Sequence, residues 1–363
     1  MELLDVQDAV LSLFITYMLL LLCSFSDAIP ASFIFGDSLV DIGNNNYLPL
    51  SLAKANLYPN GIDYGSGIAT GRFSNGRTVA DFVFEKLGAP IPQPYLNPTT
   101  RGSVLLNGVS YASGAGGILD STGSNYIQRL SFNTQLTYFQ KNVVEINNLI
   151  GQPRASELLS DALYVVVFGS NDYINNYLLS NSATSRQYTT SQFQDLLIST
   201  FRKQLMTLYN LGARKIVTFA LGPLGCIPSQ VVTSNTNGTC LDTVNSMCRA
   251  FNAALRPMLT DLNAKSPDAK FCIGDAYNAM SQFMSNPAQY GFEFTTTGCC
   301  GSGPYNGQLG CLPASNLCTN RSTHLFWDPF HPTDRTNSYL ADRFFSGGPS
   351  DISPFNIKQL IAM

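Results

Sequence analysis

Four short runs of uninterrupted apolar residues limit what this chain can become. They are ASFIF (31–35), ALYVVVF (162–168), KIVTFA (215–220) and KFCIG (270–274). Each has strand length, is rich in β-branched or aromatic residues, and ends at a glycine or a turn, the pattern of a strand buried on both faces. The segments between them carry a different period. Phe193, Leu197, Phe201, Leu205 and Leu208 mark one face of a helix with Gly212 placed as its C-terminal cap, and Val244, Met247, Phe251, Leu255, Met258 and Leu262 repeat the pattern after the third run. Strand, helix, strand, helix predicts an α/β fold whose parallel sheet is covered by helices on both faces. Ligands of such sheets sit beyond the C-terminal ends of the strands. The first run ends at Phe35 and the second at Phe168, so Ser38 and GSND (169–172) belong at one edge.

The 363 residues are 45% hydrophobic and 12% charged, which supplies a large core and excludes a disordered or fibrous chain. No linker, charge run, short repeat or low-complexity tract divides them. Residues 9–25 carry no charge, and SDA at 26–28 offers the small residues that a signal peptidase inspects. Residues 1–28 therefore read as a signal peptide and 29–363 as the mature domain. A retained anchor and a mis-assigned start are the alternatives, since Glu2, Asp5 and Asp8 make the leading segment acidic where a positive start is usual. Cleavage after Ala28 removes four acids and no base, moving the net charge from −3 to +1. Neither nucleic acid nor an acidic surface is expected as a partner.

Cysteine usage points the same way. Cys23 leaves with the leader, and Cys226, Cys240, Cys248, Cys272, Cys299, Cys300, Cys311 and Cys318 remain. An even number in an exported chain reads as a disulfide framework with open connectivity. Cys226, Cys240 and Cys248 are near enough in sequence for local pairs, while Cys299 and Cys300 should each bond elsewhere. A zinc site would need C-x-x-C pairs or histidine at ligand spacing, so no metal is expected. Asn237-Gly-Thr and Asn320-Arg-Ser are N-glycosylation sequons.

A serine is a poor nucleophile until an imidazole takes its proton and a carboxylate orients that imidazole. The chain holds two histidines. His331 stands in FWDPFHPTD, where a D-x-x-H turn brings the Asp328 carboxylate to the ring. His324, in NRSTHLF, has no acid within reach on its near side and reads as a surface or satisfied polar residue. Ser38 follows the first apolar run in FIFGDSLVDIGNNN (33–46), with Gly36 as the hinge that lifts it clear. A serine capping the next helix is the plainer reading of that residue. Asp37 reads as an acceptor that orders the loop. Donors for a developing oxyanion are also needed. Gly114, in the small-residue loop YASGAGGILD (111–120), and the Asn171 amide are the candidates, although glycine loops are often plain turns and asparagine often caps helices. G-x-S-x-G is absent, which excludes the nucleophile elbow of α/β-hydrolases.

These stretches, in this order, resemble the GDSL esterase/lipase family of plants, within the SGNH hydrolase superfamily. FGDSLVDIGNNN resembles its first block, NGVSYASGAGGIL its second, VVVFGSNDY its third and FWDPFHPTDRTN its fifth. TGRFSNGRTVADFVFEKLG (70–88) also matches plant members. The resemblance covers the chain from about residue 31 to its end. It implies a three-layer α/β/α sandwich with a flavodoxin-like parallel sheet and no cofactor. It further implies Ser38 as nucleophile, Asp328 and His331 as the rest of a triad, and Ser38 N–H, Gly114 and Asn171 as oxyanion donors. Pro329, where many members have a small residue, is a departure that touches no reacting group.

Three activities fit. One is a secreted, extracellular ester hydrolase, placed in the cell wall or apoplast, acting on lipid, cuticular or cell-wall acyl esters. The second is an acyltransferase using the same acyl-enzyme. The third is a secreted binder of acylated ligands without turnover. The expected partner is a small-molecule, lipid or polymer ester, with no stable membrane insertion once the leader is removed.

Overall fold

A computed structural model describes residues 29–233 and 237–363, so the predicted signal peptide, 1–28, lies outside the described residues. Seven strands form the central sheet: β1 (Ser32–Gly36), β2 (Gln93–Pro94), β3 (Gly108–Ser110), β4 (Leu163–Val167), β5 (Lys215–Phe219), β6 (Lys270–Gly274) and β7 (Ile352–Ser353). Their order is β7-β6-β5-β4-β1-β3-β2, parallel throughout except for β7. Without the two short edges the order is 2-1-3-4-5, that of flavodoxin-like sheets. All four apolar runs are strands, within a residue at each end. The three additional strands are two or three residues long, too short to show a period.

Side chains alternate across the sheet, and each face meets its own helices. Phe33, Phe35, Tyr164, Val166, Ile216 and Phe271 point into a core shared with α2 (Phe132–Ile150), α3 (Gln152–Asp161), α4 (Thr190–Asn210) and α5 (Asp242–Lys265). Ile34, Val165, Val167, Val217 and Cys272 point the other way, toward α1 (Val79–Leu87), α6 (Ala276–Ser285), α7 (Asp334–Ser346) and α8 (Ile357–Ile361). The predicted faces of α4 and α5 are the buried ones, except that Cys248 takes the core position beside the half-buried Met247. Rings stack around β1, with Phe35 4.9 Å from Tyr111 and Phe33 5.3 Å from Tyr164. Each buried ring contributes about 1.5–3 kcal/mol and together they fix the strand that leads to Ser38. Among the described residues no helix is long and apolar enough to cross a membrane.

The disulfide framework is smaller than expected. Cys226–Cys240, Cys299–Cys318 and Cys300–Cys311 are bonded, while Cys248 and Cys272 are free and buried. These two cannot meet, because Cys248 faces the core on one side of the sheet and Cys272 the core on the other. Both serve as small apolar side chains, and burial pushes their thiols up to about 12 and about 11. A thiol-reactive dye should therefore count no thiol in the folded chain lacking residues 1–28. After unfolding without reductant it should count two. A different count in the unfolded protein, or rapid reaction in the folded one, would contradict this pairing.

Candidate active site

β1 and β4 end side by side, and Gly36 makes their approach possible. A Cβ at this position would lie 2.5 Å from Val40 Cγ2 and 2.8 Å from the Val167 carbonyl oxygen. Clearance, rather than the turn suggested by the sequence, is what requires glycine here, since its φ is not left-handed. The Asp37 N–H donates to the Val167 carbonyl (3.1 Å), and its carboxylate accepts from the Leu39 N–H (2.9 Å). Asp37 thus orders the loop, as its position suggested. Ser38 is left half-buried in a cleft of about 380 Å³.

The second contribution comes from the far end of the chain. The Trp327 N–H donates to the His331 carbonyl (2.7 Å), closing a loop around Asp328. Asp328 Oδ1 accepts the N–H groups of Phe330 and His331, each at 2.8 Å. His331 Nδ1 is 2.8 Å from both Asp328 oxygens, and His331 Nε2 is 2.8 Å from Ser38 Oγ. The carboxylate assigns the ring proton to Nδ1, so the Nε2 lone pair faces the hydroxyl. Ring and carboxylate are both buried. His324 is buried elsewhere, stacked 4.4 Å from Phe294, with Nδ1 3.1 Å from the Asn320 carbonyl oxygen. It is a satisfied polar residue.

Asn171 follows β4 in a single helical turn for which it is not the cap. Its amide donates one proton to the Gly116 carbonyl (2.9 Å), and its oxygen accepts from Asn175 (2.6 Å). That leaves one amide proton free at the cleft wall, which Asn171 lines. Gly114 departs from expectation. Its single N–H donates to Asp41 Oδ2 (2.9 Å) and is committed there. What demands glycine is space, since a Cβ would come within 2.7 Å of both Asn45 Nδ2 and Phe73 Cζ. Phe73 in turn packs 5.0 Å from the His331 ring. The next residue, Ala115, has a left-handed φ of 65° and lines the cleft. The Gly114 carbonyl accepts from Asn45 (3.0 Å), so across the same trans peptide the Ala115 N–H points away from Asn45. Neither it nor the Ser38 N–H has an acceptor among the described residues.

Several residues that hold the site escaped the sequence reading. Asp41 accepts from Gly43, Asn44 and Gly114, and Asp172 from Ile118, Leu119 and Thr122, so one carboxylate pins each end of the small-residue loop. Asn44 donates to the Ser110 and Ala112 carbonyls, and Asn45 to those of Ala53 and Gly114. Three amides in a row after a glycine were the signal. Arg72 pairs with the buried Asp81 at 2.7 Å and Arg77 with Asp334, seating the segment that carries Phe73. Cys299, Cys318 and His324 cluster within 4.8 Å, but the two sulfurs are bonded to each other.

A hydroxyl, an imidazole and a carboxylate in line, at the point where a three-layer α/β sheet reverses its strand order, describe an esterase-type centre. The comparisons with known proteins agree. Residues 33–344 match the model for the GDSL-like lipase/acylhydrolase family, and the chain belongs to that family. A GDSL esterase/lipase of Arabidopsis thaliana is 46% identical, over 92% of this chain and 95% of its own. A second is 44% identical over 92% and 89%, and GDSL esterase/lipase 7 of the same plant is 43% identical over 91% and 92%. The chain is a carboxylic-ester hydrolase.

Burial pushes the carboxyls of Asp41 and Asp172 up to about 6, against the lowering pull of their N–H donors. A raised value means that the folded state holds the proton more tightly than the unfolded chain. The associated stability is full below the unfolded value and is lost as pH rises through about 6. Asp172→Asn keeps one acceptor oxygen and strands one backbone amide donor, at a cost of about 1–3 kcal/mol. Measured by urea unfolding, its deficit against the wild type should be smaller near pH 7 than at about pH 4.5. An equal deficit at both would refute the ascription.

Proposed function

We propose that this hydrolase works through an acyl-enzyme on Ser38. The observation that carries the reading is the 2.8 Å approach of Ser38 Oγ to His331 Nε2, with Asp328 bound to the opposite ring nitrogen. Ser38 Oγ attacks the ester carbonyl carbon while its proton passes to Nε2, and Asp328 stabilises the imidazolium. Collapse of the tetrahedral intermediate returns that proton to the leaving alkoxide. Water then repeats the sequence on the acyl-serine and frees the acid. The oxyanion is held by the Ser38 N–H, the free amide proton of Asn171 and one N–H of the small-residue loop. An uncommitted N–H of that loop at the cleft wall belongs to Ala115, whereas that of Gly114 is bound to Asp41. Unpaired donors aimed at a cleft are well suited to charge that appears only in the transition state.

The reading includes secretion and an extracellular site of action. It is supported by the apolar leader, by three disulfides, and by the exposure of both sequon asparagines, Asn237 and Asn320. Ester-bearing lipids and cuticle or cell-wall polymers are the substrate classes it admits, and no nucleic acid is among the partners.

Ser38→Ala should lose about six decades of turnover and all labelling by a fluorophosphonate, with secretion unchanged. Retention of more than about a hundredth of the activity would sink the assignment. Asn171→Ala should lower kcat by about 10²–10³ with KM little altered. A change confined to KM or to protein yield would make Asn171 structural. His331→Gln should abolish activity. In the wild type the rate should fall tenfold per pH unit on the acid side, because only the neutral ring accepts the serine proton.

A further inference from the structure

The cleft extends well beyond the reacting groups. From Ser38 at the end of β1 its wall passes Val167 and Phe168 at the end of β4, then Phe219 to Leu221 at the end of β5, and reaches Ala276 and Met280 at the start of α6, after β6. α7 runs along the outer side and lends Leu340 and Phe344. From β5 onward no ionisable side chain lines the wall, whereas Asp37, Lys54, Asp328 and His331 line it nearer the reacting hydroxyl. Phe219 and Phe344 stand at the far end with ring centroids 4.8 Å apart. Gly274 makes room for them, since a Cβ there would lie 2.6 Å from the ring of Phe219 and 3.0 Å from that of Phe344.

We propose that this arm is the acyl subsite, that it takes an extended saturated chain of medium length, and that Met280 sets the limit of that length. The proposal rests on the acyl-enzyme reading above. Three strand spacings separate β1 from β6, about 14 Å at 4.8 Å each. A zigzag chain with C–C bonds of about 1.5 Å advances about 1.3 Å per carbon. The arm therefore accommodates about eleven carbons, counted from the carbonyl held at Ser38. An acetyl group would leave nearly all of this apolar surface unused, and a sugar would find no ionisable partner there. Met280 is unbranched and buried, and it lines the cleft together with the aromatic pair, from α6 beyond the end of β6.

The test is a series of p-nitrophenyl esters from acetate to palmitate, assayed below their micelle concentrations. kcat/KM should rise about threefold to fourfold with each added methylene, the transfer term for a buried CH₂, until decanoate or dodecanoate, and then level or fall. Met280→Trp should move the maximum to hexanoate or shorter. Met280→Ala should move it to longer chains. A wild type fastest on acetate, or one profile shared by wild type and both variants, would overturn the proposal. n-Alkyl fluorophosphonates of the same lengths separate the two levels of the argument. No labelling at any length defeats the acyl-enzyme itself. Labelling at one rate regardless of length defeats only the subsite.

Discussion

Where β1 pairs with β4, five residues run in parallel register, from Ser32 opposite Leu163 to Gly36 opposite Val167. The two strands finish together, and the chain leaves them toward different parts of the molecule. That reversal opens the crevice, and everything in the site is referred to it. Ser38 departs from one strand end and Asn171 from the other, with the small-residue loop between them tied to Asp41 on the first side and Asp172 on the second. The register is in turn held by the absent Cβ of Gly36. A methyl group there would force the strands apart and carry the hydroxyl away from its base.

The cost of this design is visible in the buried carboxyls. Asp37, Asp41 and Asp172 are fully enclosed, and burial raises Asp37 to about 7 and the other two to about 6. Hydrogen bonds from backbone amides offset only part of the desolvation. The fold accepts that penalty because a loop of small residues has no side chains with which to hold itself. Its shape comes from outside, through the Asp41 carboxylate and the Asn45 amide at Gly114 and the Asp172 carboxylate at Ile118 and Leu119. Rigidity at a reacting centre is supplied here by polar groups that an apolar core would exclude.

Legibility in the sequence followed the range of the determining contacts. The long strands and the faces of α4 and α5 were readable because local periodicity records burial. Ser38, Asp328 and His331 were readable because the chain offers one histidine with an acid three residues before it. β2, β3 and β7 left no periodic trace. The free thiols of Cys248 and Cys272 were misread because spacing along the chain says nothing about which side of a sheet a residue faces. The bond that occupies the Gly114 N–H was illegible for a related reason. The direction of one N–H depends on Asp41 and Asn45, which reach it from a loop about seventy residues away. The amides of Asn44 and Asn45 became intelligible only with their acceptors in view.

Ser38 and the nitrogen that faces it are 293 positions apart. At about 5–20 residues per second, a ribosome that has just made the serine needs about 15–60 s to reach the histidine. Through that interval the hydroxyl is an ordinary alcohol with no base to take its proton. The pair is assembled only when the end of the polypeptide closes over its beginning. What joins the two ends is the fold itself, so the cleft exists only in the finished chain.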